Sequence, residues 1–496
     1  MSRPLWTSEE IADATGGRVT GAFEATGVSI DTRSLEKGDL FVALKDIRDG
    51  HEFVPSAFEA GASAALVSRE IKGVPGALII VEDVMAALEA MGRYARERAK
   101  DAVRIAVTGS VGKTSVKEMI ARIHRGQGKA HWSVKSFNNH WGVPLTLARM
   151  PAETEFAVFE IGMSTPGEIA PRSHMVQPHV AVITKIAPAH LEGLGSIEGV
   201  AREKADIAAG LVEPDGIMVL PKADPMLPVL AKRIRELKPD APIALFGWRE
   251  TWDRETGLGN LDGWSVIESY ESVGGMSRIG LDTLTCQLDV EIHAVGAHWA
   301  DNVACALLAA RLNAPLDLYQ AALDLSGYTP PPGRGAAEVL ELPQGGRILL
   351  VDDAYNANPE SMRAALASFA SRKGRRHIVA LGEMLEVGST SEAEHKGLAE
   401  PVLASGASVA FFAGEGMKPL ADSLETRIET HWAVNAKELD SVVKNSLTNG
   451  DLLLIKGSNA SGMGLLADRL RQWSVAADGQ VMDRGPEGAA GGMDAV

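Results

Sequence analysis

Residues 104–115 read RIAVTGSVGKTS. An apolar run of strand character closes on Thr108 and Gly109, and a stretch of helical spacing, KTSVKEMIARI, opens at Lys113. A strand that turns through glycines into a helix is the context a phosphate-binding loop requires. Glycines let backbone N–H groups face inward around phosphate oxygens, and the helix N-terminus adds partial positive charge. Gly109, Ser110, Gly112, Lys113, Thr114 and Ser115 are therefore the candidate nucleotide contacts. Lys113 is spaced to reach the β- and γ-phosphates of ATP, and Thr114 to ligate Mg²⁺. Val107 stands where the strict G-x-x-x-x-G-K-[ST] spacing places its first glycine, so the loop is a compact variant.

Outward from the loop, the middle of the chain alternates strand and helix in the manner of a parallel sheet. Strands are expected at 104–109, 156–162, 180–185 and 216–220, helices at 113–125, 198–211 and 298–312, and antiparallel strands with glycine turns within 250–290. The first part of the chain reads as a small α/β unit, ending where the charged helix 83–100 gives way to VRIAVTG. The Pro- and Gly-rich SGYTPPPGRGAAEV at 326–339 has the composition of a linker. Beyond it, RILLVDD, HIVALGE, SVAFFAG and DLLLIKG alternate with helices as in a Rossmann-like sheet, whose strand ends are where such sheets bind ligand. The expected organisation is thus α/β throughout: a small N-terminal domain at 1–100, a central P-loop domain with a mainly parallel sheet at 101–327, a C-terminal Rossmann-like domain at 328–473, and a disordered tail at 474–496.

The chain has 496 residues, 49 Lys and Arg against 65 Asp and Glu, and a formal net charge of −16. That balance argues against generic binding to nucleic acid or anionic membranes, so any phosphate must be held by local geometry. Two cysteines exclude a disulfide framework and a thiolate zinc cluster, and fit a reducing cytosol. The N-terminus carries Glu9, Glu10 and Asp13 where a signal peptide needs an apolar core, and no stretch approaches the ~20 apolar residues of a membrane span. A cytoplasmic chain without membrane insertion is expected.

Glu160 closes the apolar strand FAVFE, and His190 follows another strand in ITKIAPAHLEG. A carboxylate and an imidazole at strand ends near a phosphate loop suit a further Mg²⁺ or a γ-phosphate contact. Asp353 ends RILLVDD and is placed to orient the nucleotide or its metal; Tyr355, Asn356 and Asn358 follow it as polar groups for the nucleotide or a small acceptor.

These motifs together resemble the Mur ligases over roughly residues 15–470. TGSVGKT looks like that family's ATP loop, SFNNHWGVPLTL (136–147) like its Asn-rich element, and FEIGMSTPGEI (159–169) like the segment with its Mg²⁺-binding Glu. AHLEGLGSIEGVAREKADI (189–207) carries the family His at His190 and places Lys204 where the family has a carbamylated lysine, in effect a long carboxylate for Mg²⁺. HWADNVACALLAA matches the element whose Asn, here Asn302, contacts the nucleotide, and Arg334 matches the linker Arg. SIDTRSLEKGDLFVAL looks like the UDP-sugar element, placing Ser29, Asp31, Thr32 and Arg33 near the UDP, while Asn138 and Asn139 belong to the substrate side. VDDAYNANPESM (351–362) looks like the members that add D-Ala-D-Ala to UDP-MurNAc-tripeptide. The resemblance implies a monomeric ATP-dependent amide ligase of peptidoglycan synthesis using two Mg²⁺, with Lys113, His190 and Lys204 as its catalytic set and the product a pentapeptide precursor made through an acyl phosphate. Two alternatives stay open: a ligase of folate-polyglutamate or other Mur type with a different amino-acid donor, and a nucleotide-switched binding protein. Lys185 departs from the pattern, standing where many relatives have Asn; Asn459 and Gly464 replace an expected Arg and Glu.

Overall fold

The computed structural model describes residues 3–188, 191–252, 263–312, 314–385 and 387–474. His190, residues 253–262 of the expected antiparallel segment, and the tail from 475 onward lie outside the described residues.

The chain builds three main sheets. The central one has nine strands, and the phosphate loop leaves its interior strand Val103–Thr108, flanked in parallel by Phe156–Glu160 and Val180–Ile183. Side chains on these strands alternate between two cores. Ile105, Val107 and Val158 enter one with the helices Lys113–Gln127 and His298–Arg311; Ala106, Ala157 and Phe159 enter the other. That period of two, with both faces covered by helices, explains the near-continuous apolar runs. Parallel order continues through Ile217–Pro221 and Ile243–Trp248 to Gly263–Val273, after which Met276–Thr283 and Gln287–Ile292 extend the edge antiparallel. The turn between Gly263–Val273 and Met276–Thr283 is Gly274-Gly275, both at positive φ, as a tight hairpin requires.

The helix His298–Arg311 has most of its length buried and is rich in alanine, so it sits close against the phosphate-loop helix and the antiparallel strands. The expected helix 198–211 is shorter: an α-helix at Ile197–Ala205, then a 3-10 segment at Asp206–Gly210.

The N-terminal sheet has five strands, four of them parallel neighbours from Gly27–Ser29 to Ala77–Ile80, with Arg18–Val19 antiparallel at the edge. It is tied to the central unit by Trp6, whose indole N–H donates to the Ala148 carbonyl at 2.7 Å beneath the Arg98 guanidinium. The third sheet has six strands; Ala336–Glu341 pairs antiparallel with Arg347–Asp353, and the rest are parallel. No helix among the described residues is long and apolar enough to cross a membrane.

Candidate active site at the phosphate loop

The loop 109–112 is shaped by its neighbours. Gly109 has φ +148 and a Cβ there would lie 1.9 Å from the Thr184 hydroxyl; Gly112 has φ +85 and a Cβ would meet the Asn302 side-chain oxygen at 2.8 Å. Both positions therefore demand glycine on conformational and steric grounds. The Ser110 N–H donates to the Lys185 carbonyl at 2.8 Å and its hydroxyl to the Ala187 carbonyl at 2.9 Å, fastening the loop to the strand end beside it. Lys113 folds back, its ammonium donating to the Gly109 carbonyl at 2.8 Å. Thr114 and Ser115 are buried in the first turn of the helix.

Glu160, the last residue of its strand, is buried with both carboxylate oxygens engaged. One accepts from the Thr114 hydroxyl at 2.7 Å, the other from the Asn138 amide at 2.7 Å. Hydroxyl and carboxylate oxygens side by side are the hard donors Mg²⁺ takes. Lys204 lies fully buried on the helix Ile197–Ala205. Burial, with the positive charge of Lys113 nearby, pushes its amine well below the ordinary lysine value, which favours the neutral form. Its neighbour Glu203 accepts the N–H groups of Gly167, Glu168 and Ile169 at 2.8 to 3.0 Å, and so holds the start of the helix Ile169–Val176. Among the described residues no three His, Cys, Asp or Glu gather as a metal cluster. The described residues that could hold a Mg²⁺ here are Glu160 and Thr114.

From the linker, Arg334 reaches the same place. Its guanidinium donates to the Ser136 hydroxyl at 2.8 Å and stacks over the Tyr355 ring at 3.9 Å; Ser136 in turn lies 3.2 Å from the Thr114 hydroxyl. On the third sheet, Asp353 faces a partner from the adjacent strand: Lys456, nearly fully buried, pairs with its carboxylate at 2.8 Å and donates to the Asn356 carbonyl at 3.0 Å. Asn358 caps the helix Pro359–Ala370, its side-chain oxygen accepting the Ser361 N–H at 2.9 Å, and Asn139 likewise accepts the Gly142 N–H at 2.9 Å. The Asn356 side chain accepts the Ala357 N–H at 2.9 Å.

Ser29, Asp31, Thr32 and Arg33 line a cleft of about 3240 Å³ whose walls also include Thr114, Arg334 and Tyr355. Asp31 and Arg33 form a forked pair at 2.7 to 3.1 Å, and the arginine's hydrogen bonds, against the opposing cost of partial burial, hold the carboxyl below its ordinary range.

Sequence reasoning missed the roles of Ser136 and Lys117 and, though it noted Lys456, missed its pairing with Asp353. Lys117 is fully buried and donates to the carbonyls of Ser133 and Lys135 at 2.6 and 2.7 Å, also pairing with Glu118. It thereby holds Lys135 at φ +52, a left-handed conformation uncommon outside glycine. Its signal was a lysine one turn after Lys113, on the helix face that packs inward.

A model of the Mur ligase middle domain matches residues 107–310, and one described as "Mur ligase, glutamate ligase domain" matches 338–459. The chain is 34% identical to the UDP-N-acetylmuramoyl-tripeptide–D-alanyl-D-alanine ligase of Escherichia coli, covering 92% of this chain and 96% of that one. It is 33% identical to the ligase of the same name from Bacillus subtilis, covering 91% and 95%. A crystal structure of MurF from Acinetobacter baumannii superimposes with a TM-score of 0.77 at 28% identity, covering 94% of this chain and 99% of that one. With two of its three sheet units matched by family models and 92% of its length aligned to a relative at 34% identity, the chain belongs to the Mur ligase family.

Proposed function

We propose that this chain is an ATP-dependent ligase that joins D-Ala-D-Ala to UDP-MurNAc-tripeptide, giving the UDP-MurNAc-pentapeptide precursor of peptidoglycan. The observation that carries the reading is the single cleft whose walls include Asp31, Arg33, Thr114 and Tyr355. A long substrate bound by its UDP end in residues 1–100 would bring its peptide carboxylate to the phosphate loop of residues 101–327, and a dipeptide held by residues 328–473 would meet it there. The names of the relatives, ligases of exactly this pair of substrates, support the same assignment.

In the proposed reaction the tripeptide carboxylate attacks the γ-phosphorus of ATP; an acyl phosphate forms and ADP leaves. The dipeptide amine then attacks the acyl carbon, an amide forms, and phosphate leaves. Activation is needed because a free carboxylate is a poor electrophile. Lys113 and the loop N–H groups orient the phosphates, and Asn302 sits against the loop to contact the nucleotide. Arg334 ties the linker to the loop region, so that third-domain closure excludes water from the acyl phosphate. Two Mg²⁺, when bound, supply charge neutralisation on the transferring phosphoryl group; Thr114 and Glu160 would hold one, Lys204 and His190 the other. Lys204, kept neutral by burial, would add CO₂ to become a carbamate. One chain brings all three sheets to the cleft, so a monomer suffices.

The test is phosphate release from ATP with UDP-MurNAc-tripeptide, in the presence and absence of D-Ala-D-Ala, with mass detection of the pentapeptide. Release indifferent to both substrates would instead favour a nucleotide switch, and acceptance of a different amino-acid donor a different ligase.

A further inference from the structure

Lys185 is fixed to the phosphate loop by its backbone and to the third sheet unit by its side chain. Its carbonyl accepts the Ser110 N–H at 2.8 Å, and its two neighbours are pinned as well: the Thr184 hydroxyl donates to the Val111 carbonyl at 2.6 Å, and the Ile186 N–H donates to Asp224 at 2.7 Å. The ammonium crosses to Glu360, 2.5 Å away, in the first turn of the helix Pro359–Ala370. Asp224 and Asp301 also feel this cation, and each has its carboxyl raised by burial. A cation whose backbone carbonyl holds the loop is thus in contact with Glu360, and it lowers the cost of ionising Asp224 and Asp301.

Both members of the pair are nearly half exposed, and such pairs are worth only about 0–1 kcal/mol. A polyphosphate with several charges is a far stronger partner for the same ammonium. We propose that Lys185 is a second phosphate-loop cation, held in reserve by Glu360, and that an entering nucleoside triphosphate takes it from Glu360. The exchange makes the contact between loop and third unit depend on nucleotide. This rests on the reading of the loop as an ATP site.

The two partners should then act in opposite directions on the same equilibrium. Titrating ATP·Mg into the full-length protein by calorimetry, Lys185→Met should weaken binding by about threefold to tenfold, whereas Glu360→Gln, which frees the lysine, should tighten it by up to about fivefold. Lys185→Arg should bind as the parent does. The Glu360→Gln effect should vanish in the Lys185→Met background. If both single variants move affinity the same way, or neither moves it, the pair is a passive bridge and the proposal fails. If the parent binds no ATP at all, the reading of the loop fails first, and the two failures are told apart by the parent titration.

Discussion

The Thr114 hydroxyl lies 2.7 Å from one oxygen of Glu160, and an amide from 22 residues earlier, Asn138, closes on the other. The carboxylate that ends one strand is thereby aimed at the helix that begins after another. Asn138→Ala leaves Glu160 in place but unoriented. Loss of a group that orients a metal ligand costs about 10–100-fold in metal affinity or activity, so the Mg²⁺ dependence of ligation should shift to higher concentration. An unchanged Mg²⁺ titration would remove Asn138 from this role.

Lys204 stands on different chemistry. Its burial disfavours an ammonium, and the amine is free to take up CO₂. Lys204→Ala should lose at least ~100-fold in turnover, comparable to removing a key electrostatic group, and regain part of it with short-chain carboxylates. Carbon-13 bicarbonate should label the parent and leave Lys204→Ala unlabelled. A fully active Lys204→Ala would end the carbamate idea.

Lys117 supports the segment that carries Ser133, Lys135 and Ser136. Lys117→Met fills similar space but strips the buried Ser133 carbonyl and the part-buried Lys135 carbonyl of their donor. The cost should be about 1–3 kcal/mol, the scale of leaving one such buried group unsatisfied. Urea unfolding followed by tryptophan fluorescence measures it, and a midpoint matching the parent would show that the carbonyls find other donors.

His124 gives a pH signature. It is fully buried, stacked on Phe156 with centroids 4.2 Å apart, and neither ring nitrogen meets a hydrogen-bond partner among the described residues. Burial lowers its pKa to about 4. An unfolded histidine titrates near ~6.5, so between these values the unfolded chain binds a proton the native chain refuses, and stability falls as pH falls through that window by at most about 3 kcal/mol. His131, His179 and His298 are shifted the same way by burial, so His124→Phe should flatten the melting temperature between pH 6.5 and 4 without levelling it. Equal slopes for parent and His124→Phe would show that His124 contributes nothing to acid sensitivity.

Much of this architecture was legible because it is local. The phosphate loop needs only a strand, two glycines and a helix start in succession, and the apolar runs of the sheets follow from covering both faces. The contacts between distant segments were not legible. Asp353 is a plausible ligand as a strand-end acid, but the parallel register sets Asp353 opposite Lys456, and register between strands a hundred residues apart leaves no mark in either one. Asn358 shows the reverse case: Asn-Pro-Glu-Ser is a helix-start signature, and the structure gives its side chain that capping work. Antiparallel strands were expected within 250–290, and the antiparallel pairs found there run on to Ile292, whereas Ala130–Trp132, only three residues long, carries too little pattern to be seen.

The contacts Arg334–Ser136–Thr114–Glu160 have a polarity that their distances do not state. A guanidinium can only donate, and an ionised carboxylate can only accept. Thr114 spends its single proton on Glu160, so Ser136 must give its own to Thr114 and receive from Arg334. The row is one-way, from the linker to the carboxylate, and no member can be reversed alone. The direction is therefore set from the Glu160 end: moving Arg334 takes one donor from Ser136, while Thr114 still gives its proton to the carboxylate and Ser136 still gives its own to Thr114.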